Sequence, residues 1–212
     1  MFLIGIAGGV SSGKSAIARC FEKRGARILD ADKLGHQVLK QPEVVRSIAA
    51  IWGNSIIDES GEINRQSLAE LVFDPENGPD HLGQLEAITH PRITDLLQDE
   101  LRKIQSNHPN AVVILDAPLM FKAGWDILCH KIVFVDTPIE IRKARAQSRG
   151  WSAKELENRE RRQLSISQKR DRSNAIVDNS GSLELTCKQV DSLWNRWSLP
   201  PSDEDTESQA SS

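Results

Sequence analysis

Cysteine is scarce in this chain, long apolar runs are missing, and neither sign of charge dominates. The three cysteines, Cys20, Cys129 and Cys187, lie far apart with no Cys-x-x-Cys pair. An odd, sparse set of this kind is expected as reduced thiols in a cytosol-like, cytoplasmic setting, with Cys20 a small core residue. No apolar stretch approaches the length that spans a bilayer, so no membrane partner is expected. The apolar N-terminal run has no basic leader and reads as a strand, not as a signal peptide. A formal net charge of −3 over 212 residues gives no global case for binding nucleic acid. There is no internal repeat. What remains is a hydrophobic fraction of 39%, enough for a full core, in a length that suits one domain, or one domain carrying a helical insertion.

One stretch organises the rest. Gly8-Gly9-Val10-Ser11-Ser12-Gly13-Lys14-Ser15 fits G-x-x-x-x-G-K-[ST], the phosphate-binding P-loop. Phe2–Ala7 precedes it as an apolar run that reads as a buried strand, and Ala16–Phe21 comes after it as a helix start. Glycines let the backbone approach phosphates with N–H groups inward, and the helix N-terminus adds partial positive charge. The nucleotide-binding set expected here is Gly8, Gly9, Ser11, Ser12, Gly13, Lys14, Ser15 and Ala16. Lys14 is placed to reach the β- and γ-phosphates of ATP, and Ser15 to ligate Mg²⁺.

Several later apolar runs end in acids. Ala26–Leu29 reads as a second strand delivering Asp30-Ala31-Asp32; Ala111–Leu115 ends in Asp116, Ile132–Val135 ends in Asp136, and Ala175–Val177 is a short last strand. In open parallel sheets ligands bind at the carboxyl ends of strands, so these acids share an edge with the P-loop. Asp116 is a candidate to hold Mg²⁺ through water; the alternative for Asp30, Asp32 and Asp116 is that they end strands and cap the next segment. From Pro42 to about Gln105 the apolar spacing is helical, with Asn64 as an N-cap and a break at Thr89-His90-Pro91. That stretch is expected as a helical lobe of about 42–105. Between Arg142 and Arg172 eleven positive charges face four negative ones. A solvated face with pairs such as Glu155–Arg159 is one reading; the other is a lid whose Arg145 and Arg149, four apart on one helix, close on the transferring phosphoryl group.

Taken together, the P-loop, Asp30-Ala31-Asp32, His90-Pro91, Pro118-Leu119-Met120-Phe121, Arg145 with Arg149, Gln163, and Val177-Asp178-Asn179-Ser180-Gly181 resemble the dephospho-CoA kinase family, over Phe2 to about Trp194. The resemblance implies phosphorylation of the ribose 3′-hydroxyl of dephospho-CoA by ATP, the last step of coenzyme A synthesis. It implies Asp32 as the carboxylate that orients and partly deprotonates the hydroxyl. Lys14, Arg145 and Arg149 complete the catalytic set, and Asp30 and His90 are substrate-binding candidates. It leaves monomer and homotrimer both open. Three residues depart from the family pattern: Lys122 where Glu is common, Asn174 where Asp is common, and Ser11 where Gly is common, the last asking for an ordinary φ.

The expected fold is a three-layer α/β P-loop NTPase of nucleotide-kinase type. One domain covers 1–198, with a core of 1–40 and 110–198, the lobe, and a lid of about 142–172; a disordered acidic tail covers 199–212. Two other readings stay open: another small-molecule P-loop kinase, for a nucleotide or shikimate, and a non-catalytic NTP-binding protein. The absence of an Asn-Lys-x-Asp guanine-reading element weighs against a GTPase switch. Apart from Trp151 the basic stretch lacks the aromatics expected of a nucleic-acid surface.

Overall fold

A computed structural model describes residues 1–72, 74 and 78–200. Five parallel strands form one sheet in the order β2-β3-β1-β4-β5: β1 Phe2–Gly8, β2 Arg27–Asp30, β3 Val112–Asp116, β4 Lys131–Asp136 and β5 Ala175–Asp178. This is the expected parallel α/β architecture. Burial explains the run types. β1 lies between β3 and β4, and Leu3 through Ala7 are buried without alternation, the pattern of a strand covered on both faces. β5 is an edge strand and alternates, with Ala175 and Val177 buried and Ile176 and Asp178 exposed.

The chain divides into two compact units. The first joins Met1–Asp30 to the chain from Lys103 onward; the second is Ala31–Arg102. In the first, α1 (Lys14–Glu22) and α9 (Leu183–Arg196) bury Ile17, Phe21, Val190 and Trp194 with Ile4, Ile6, Val133 and Val135 of the sheet. Fully burying such a side chain contributes about 1.5–3 kcal/mol. Leu199 is 8% exposed and belongs to this core. The expected tail therefore begins too early at 199; the remainder of that expectation, from 201, lies outside the described residues.

The same two helices are joined covalently. Cys20 of α1 and Cys187 of α9 form a disulfide, their Cα atoms 5.2 Å apart. This corrects the expectation of three reduced thiols. A separation of 167 residues carries no pairing signal; only the packing of α1 on α9 brings the two together. Cys129 remains a thiol.

The second unit is helical. It holds α2 (Ala31–Val38), α3 (Pro42–Trp52), α4 (Arg65–Val72) and most of α5 (Gly78–Asn107). Asn64 caps α4: its side-chain oxygen accepts from the N–H groups of Gln66 and Ser67, each at 3.1 Å. The stretch Asp74–Pro79 reads in the sequence as the stop of this helix; residues 75–77 of it lie outside the described residues. The expected break at Thr89-His90-Pro91 does not occur, because α5 runs through Pro91. Proline removes one N–H from the ladder, and the hydroxyls of Thr89 and Thr94 donate to the carbonyls of Leu85 and His90, each at 2.8 Å.

Beyond β4 come α6 (Ile139–Gln147), α7 (Ala153–Arg161) and α8 (Ile166–Asp171). Arg149 lies past the end of α6, where Gly150 at φ +80° turns the chain. Arg145 and Arg149 are thus not four apart on one helix. Asn174 accounts for itself: it receives the Ile132 N–H at 2.7 Å and gives its own N–H to the Ile132 carbonyl at 2.8 Å, aligning the start of β5. Lys122 is exposed. Among the described residues no helix is long and apolar enough to cross a membrane.

Candidate active site

β1 ends at Gly8, the loop runs from Gly9 to Gly13, and α1 begins at Lys14. Gly13 has φ +93°, in the left-handed region, and a Cβ there would stand 2.2 Å from the Asn179 amide nitrogen. Only glycine fits. Ser11 also lies in the left-handed region, with φ +60°, which corrects the expectation of an ordinary φ; a residue with a Cβ is strained there by about 1–2 kcal/mol. The hydroxyls of Ser11 and Ser12 are buried and make no hydrogen bond. Buried orphan hydroxyls are uncommon; lining a loop of this shape, they fit an anion that would take up their O–H groups.

The Ser12 carbonyl is the anchor of the loop. It accepts from the Asn179 side-chain amide at 2.8 Å, the Thr137 hydroxyl at 2.9 Å and the Arg145 guanidinium at 3.0 Å. Arg145 gives its second terminal nitrogen to the Asn179 carbonyl, also at 3.0 Å. Asn179 is oriented in turn by Thr186, whose hydroxyl donates to its side-chain oxygen at 3.0 Å. Thr137, Asn179 and Thr186 are all buried. No local pattern marks these three for a role, although Asn179 stands within the Val177–Gly181 motif. Arg145, expected as a lid residue, here holds loop backbone. Arg149 is exposed and its guanidinium stands 5.9 Å from the Trp151 ring.

A second set of charges meets the start of the loop. The Lys14 ammonium donates to the Gly9 carbonyl at 3.0 Å, and the Lys169 ammonium of α8 donates to the Gly8 carbonyl at 3.1 Å. Arg142 and Glu160 form a largely buried ion pair, and Glu160 also accepts from the Val10 N–H at 3.3 Å. The outer charges of this stretch pair on the surface, Glu155 with Arg159 at 3.0 Å and Glu157 with Arg161 at 2.6 Å. Such exposed pairs contribute little.

Oxygen donors stand at the helix side of the loop. The Ser15 hydroxyl is 3.3 Å from the Asp116 carboxylate, to which it donates. Asp116 ends β3 directly beside Asp30 of β2 in the register of the sheet. Burial pushes the Asp116 carboxyl above its ordinary value of 3.8; Lys14 opposes this, the neighbouring Asp30 adds to it, and the Ser15 hydrogen bond opposes it. A hydroxyl and a half-buried carboxylate are hard oxygen donors, and a divalent cation would favour the ionised form that partial burial penalises. Ser15 and Asp116 therefore fit Mg²⁺.

Asp32 and His90 belong to the helical unit. Asp32 is exposed in the first turn of α2, and His90 is half-buried within α5. The structure thus brings Lys14, Ser15, Asp116 and Arg145 together around the loop in one unit.

Comparison with known proteins bears on what this loop serves. The sequence profile of the family described as dephospho-CoA kinase matches residues 2–184. A dephospho-CoA kinase from Aquifex aeolicus is 36% identical over 200 residues, covering 93% of this chain and 98% of the relative. One from Bacillus licheniformis is 34% identical over 198 residues, covering 92% and 96%. Among solved structures, the protein TT1252 from Thermus thermophilus superposes with a TM-score of 0.75 at 32% identity, over 92% of this chain and 97% of its own. Shikimate kinase from Acinetobacter baumannii, at TM-score 0.51 and 16% identity over 94% and 96% of the two chains, shares the fold alone.

Proposed function

The chain belongs to the dephospho-CoA kinase family, and from that premise we propose that it transfers the γ-phosphoryl group of ATP to the ribose 3′-hydroxyl of dephospho-CoA, giving ADP and coenzyme A. The observation that carries this reading is the family match over residues 2–184 around an intact strand, P-loop and helix.

Phosphoryl transfer is accelerated mainly by positioning and charge neutralisation. In this reading the loop N–H groups and the start of α1 cradle the phosphates. Lys14 leaves the Gly9 carbonyl for the β- and γ-phosphate oxygens. Ser15, with Asp116 through water, would hold Mg²⁺, which when bound neutralises charge on the phosphates. Arg145, through the Ser12 carbonyl, fixes the loop so that its donors need no reorganisation. Asp32 accepts the proton of the attacking 3′-hydroxyl; its role is drawn from the Asp30-Ala31-Asp32 motif and the family premise. Asp30 and His90 are assigned to the acceptor on the same basis.

A coupled assay of ADP release with purified protein, Mg-ATP and dephospho-CoA tests this. Turnover that requires dephospho-CoA, with coenzyme A detected by mass, is expected. ADP release with shikimate or a nucleoside monophosphate in its place, and none with dephospho-CoA, would overturn it.

A further inference from the structure

Lys169 is 4% exposed, yet it carries a charge. Its ammonium donates to two neutral oxygens, the Gly8 carbonyl at 3.1 Å and the Gln163 side chain at 2.6 Å. Among the described residues no carboxylate stands within ion-pair distance of it. Lys14 and Lys169 both line one small cavity with Gly8, Ala117, Pro118 and Phe121, at the mouth of the loop. Burying a cation with no carboxylate in contact is expensive; Glu160 near Lys169, and Asp116 near Lys14, offset part of the charge at longer range. An anion arriving at this cavity would offset the remainder.

We propose that Lys169 is the second cation of the phosphate site: its ammonium braces the Gly8 carbonyl at the root of the loop and, beside Lys14, offers buried positive charge to the phosphate chain of ATP. This rests on the reading of the loop as an ATP cradle and adds a residue to it. Gly8 is where strand becomes loop, so fixing its carbonyl fixes the direction in which the next N–H groups leave the sheet. Lys169 is then a positioning residue for the loop as well as a source of charge.

The surroundings make the idea measurable. Burial pulls the Lys169 ammonium down to about 8, Lys14 and Arg142 pull the same way, and Glu160 opposes them. A polyanion raises it again, so ATP binds the protonated form better and binding near that pH takes up a proton. One pH unit above the free value about a tenth of the ammonium remains, and affinity falls about tenfold.

The test is calorimetric titration of Mg-ATP into the wild type, Lys169→Arg and Lys169→Met, in two buffers of different ionisation enthalpy, from pH 7 to 9. The wild type should take up about half a proton per ATP near the free value and weaken about tenfold by pH 9. Lys169→Arg, charged throughout, should bind with wild-type affinity at pH 7 and show neither effect. Lys169→Met should bind at least tenfold more weakly at pH 7, also without proton uptake. The arginine variant carries the test should the methionine variant not fold. Uptake that persists in Lys169→Arg, or a wild type with none, would overturn the inference. A wild type that gives no heat with ATP at all would overturn the ATP reading itself, and the two failures are distinguishable.

Discussion

The Arg145 guanidinium donates to the Ser12 carbonyl at 3.0 Å, across 133 residues of sequence. With its other terminal nitrogen on the Asn179 carbonyl, it makes a fork that ties the loop to the chain after β5. Hydrogen bonds from charged donors contribute about 1.5–3 kcal/mol each, and lysine, a point charge, does not reproduce a fork. Arg145→Lys is expected to lower kcat/KM for ATP by about tenfold to a hundredfold while the protein remains folded by circular dichroism. Unchanged kinetics would separate Arg145 from the phosphate loop.

Ser11 and Gly13 predict opposite outcomes of small changes two residues apart. At φ +60°, Ser11 is strained by its Cβ; Ser11→Gly removes that strain and a buried orphan hydroxyl, so the melting temperature should rise by about 2–4 °C. Gly13→Ala places a methyl 2.2 Å from the Asn179 amide nitrogen at φ +93°. It should lower the melting temperature and abolish ATP binding. Thermal scans with and without Mg-ATP read both; a Gly13→Ala protein that binds ATP normally contradicts the fixed loop geometry.

For Asp32, the proposed role touches the acceptor and not the nucleotide. Asp32→Ala should keep its ATP dissociation constant and lose about 10²–10⁴-fold in kcat. Binding by calorimetry and turnover by the coupled assay separate the two. Full turnover in the variant would remove the carboxylate from the mechanism.

Asp116 links the cation to pH. Its carboxyl titrates above the ordinary 3.8, burial being the largest cause. The native state then holds a proton that the unfolded chain has released, so this residue's contribution to stability declines as pH rises from 3.8 through the raised native value. Above that value the ionised group is a liability in the nucleotide-free protein. Asp116→Asn should raise the melting temperature in EDTA at pH 7, and it should lower kcat by about 10²-fold with a higher Mg²⁺ requirement. A melting temperature that falls on substitution would show that the carboxylate is better served in the fold than its burial implies.

The parts of this site that are legible in the sequence are local. The P-loop pattern, the strand-end acids Asp30 and Asp116, and the Asn64 cap each depend on neighbours within a few residues, and all form where expected. The hidden parts depend on distant chain segments. Nothing in the sequence near Arg145 says that its fork ends on Ser12, and the basic stretch does not distinguish buried Lys169 from exposed Arg161. Pro91 reads as a helix break because a proline's local cost is visible, whereas the packing that carries α5 through it is not. Ser11 reads as having ordinary geometry because residue type speaks to preference, while the loop's path decides φ. The Cys20–Cys187 pair is hidden for the same reason.

That pair has a topological result. The backbone from Cys20 to Cys187 is closed into a covalent ring, and the entire helical unit of Ala31–Arg102 is a part of that ring. A single backbone cut within the ring opens a chain without releasing a fragment. The helix that starts at Lys14 stays tethered to α9, and through it stays near Thr186 and Asn179. The phosphate loop therefore stays covalently linked to α9 after any single backbone break within Ala31–Arg102.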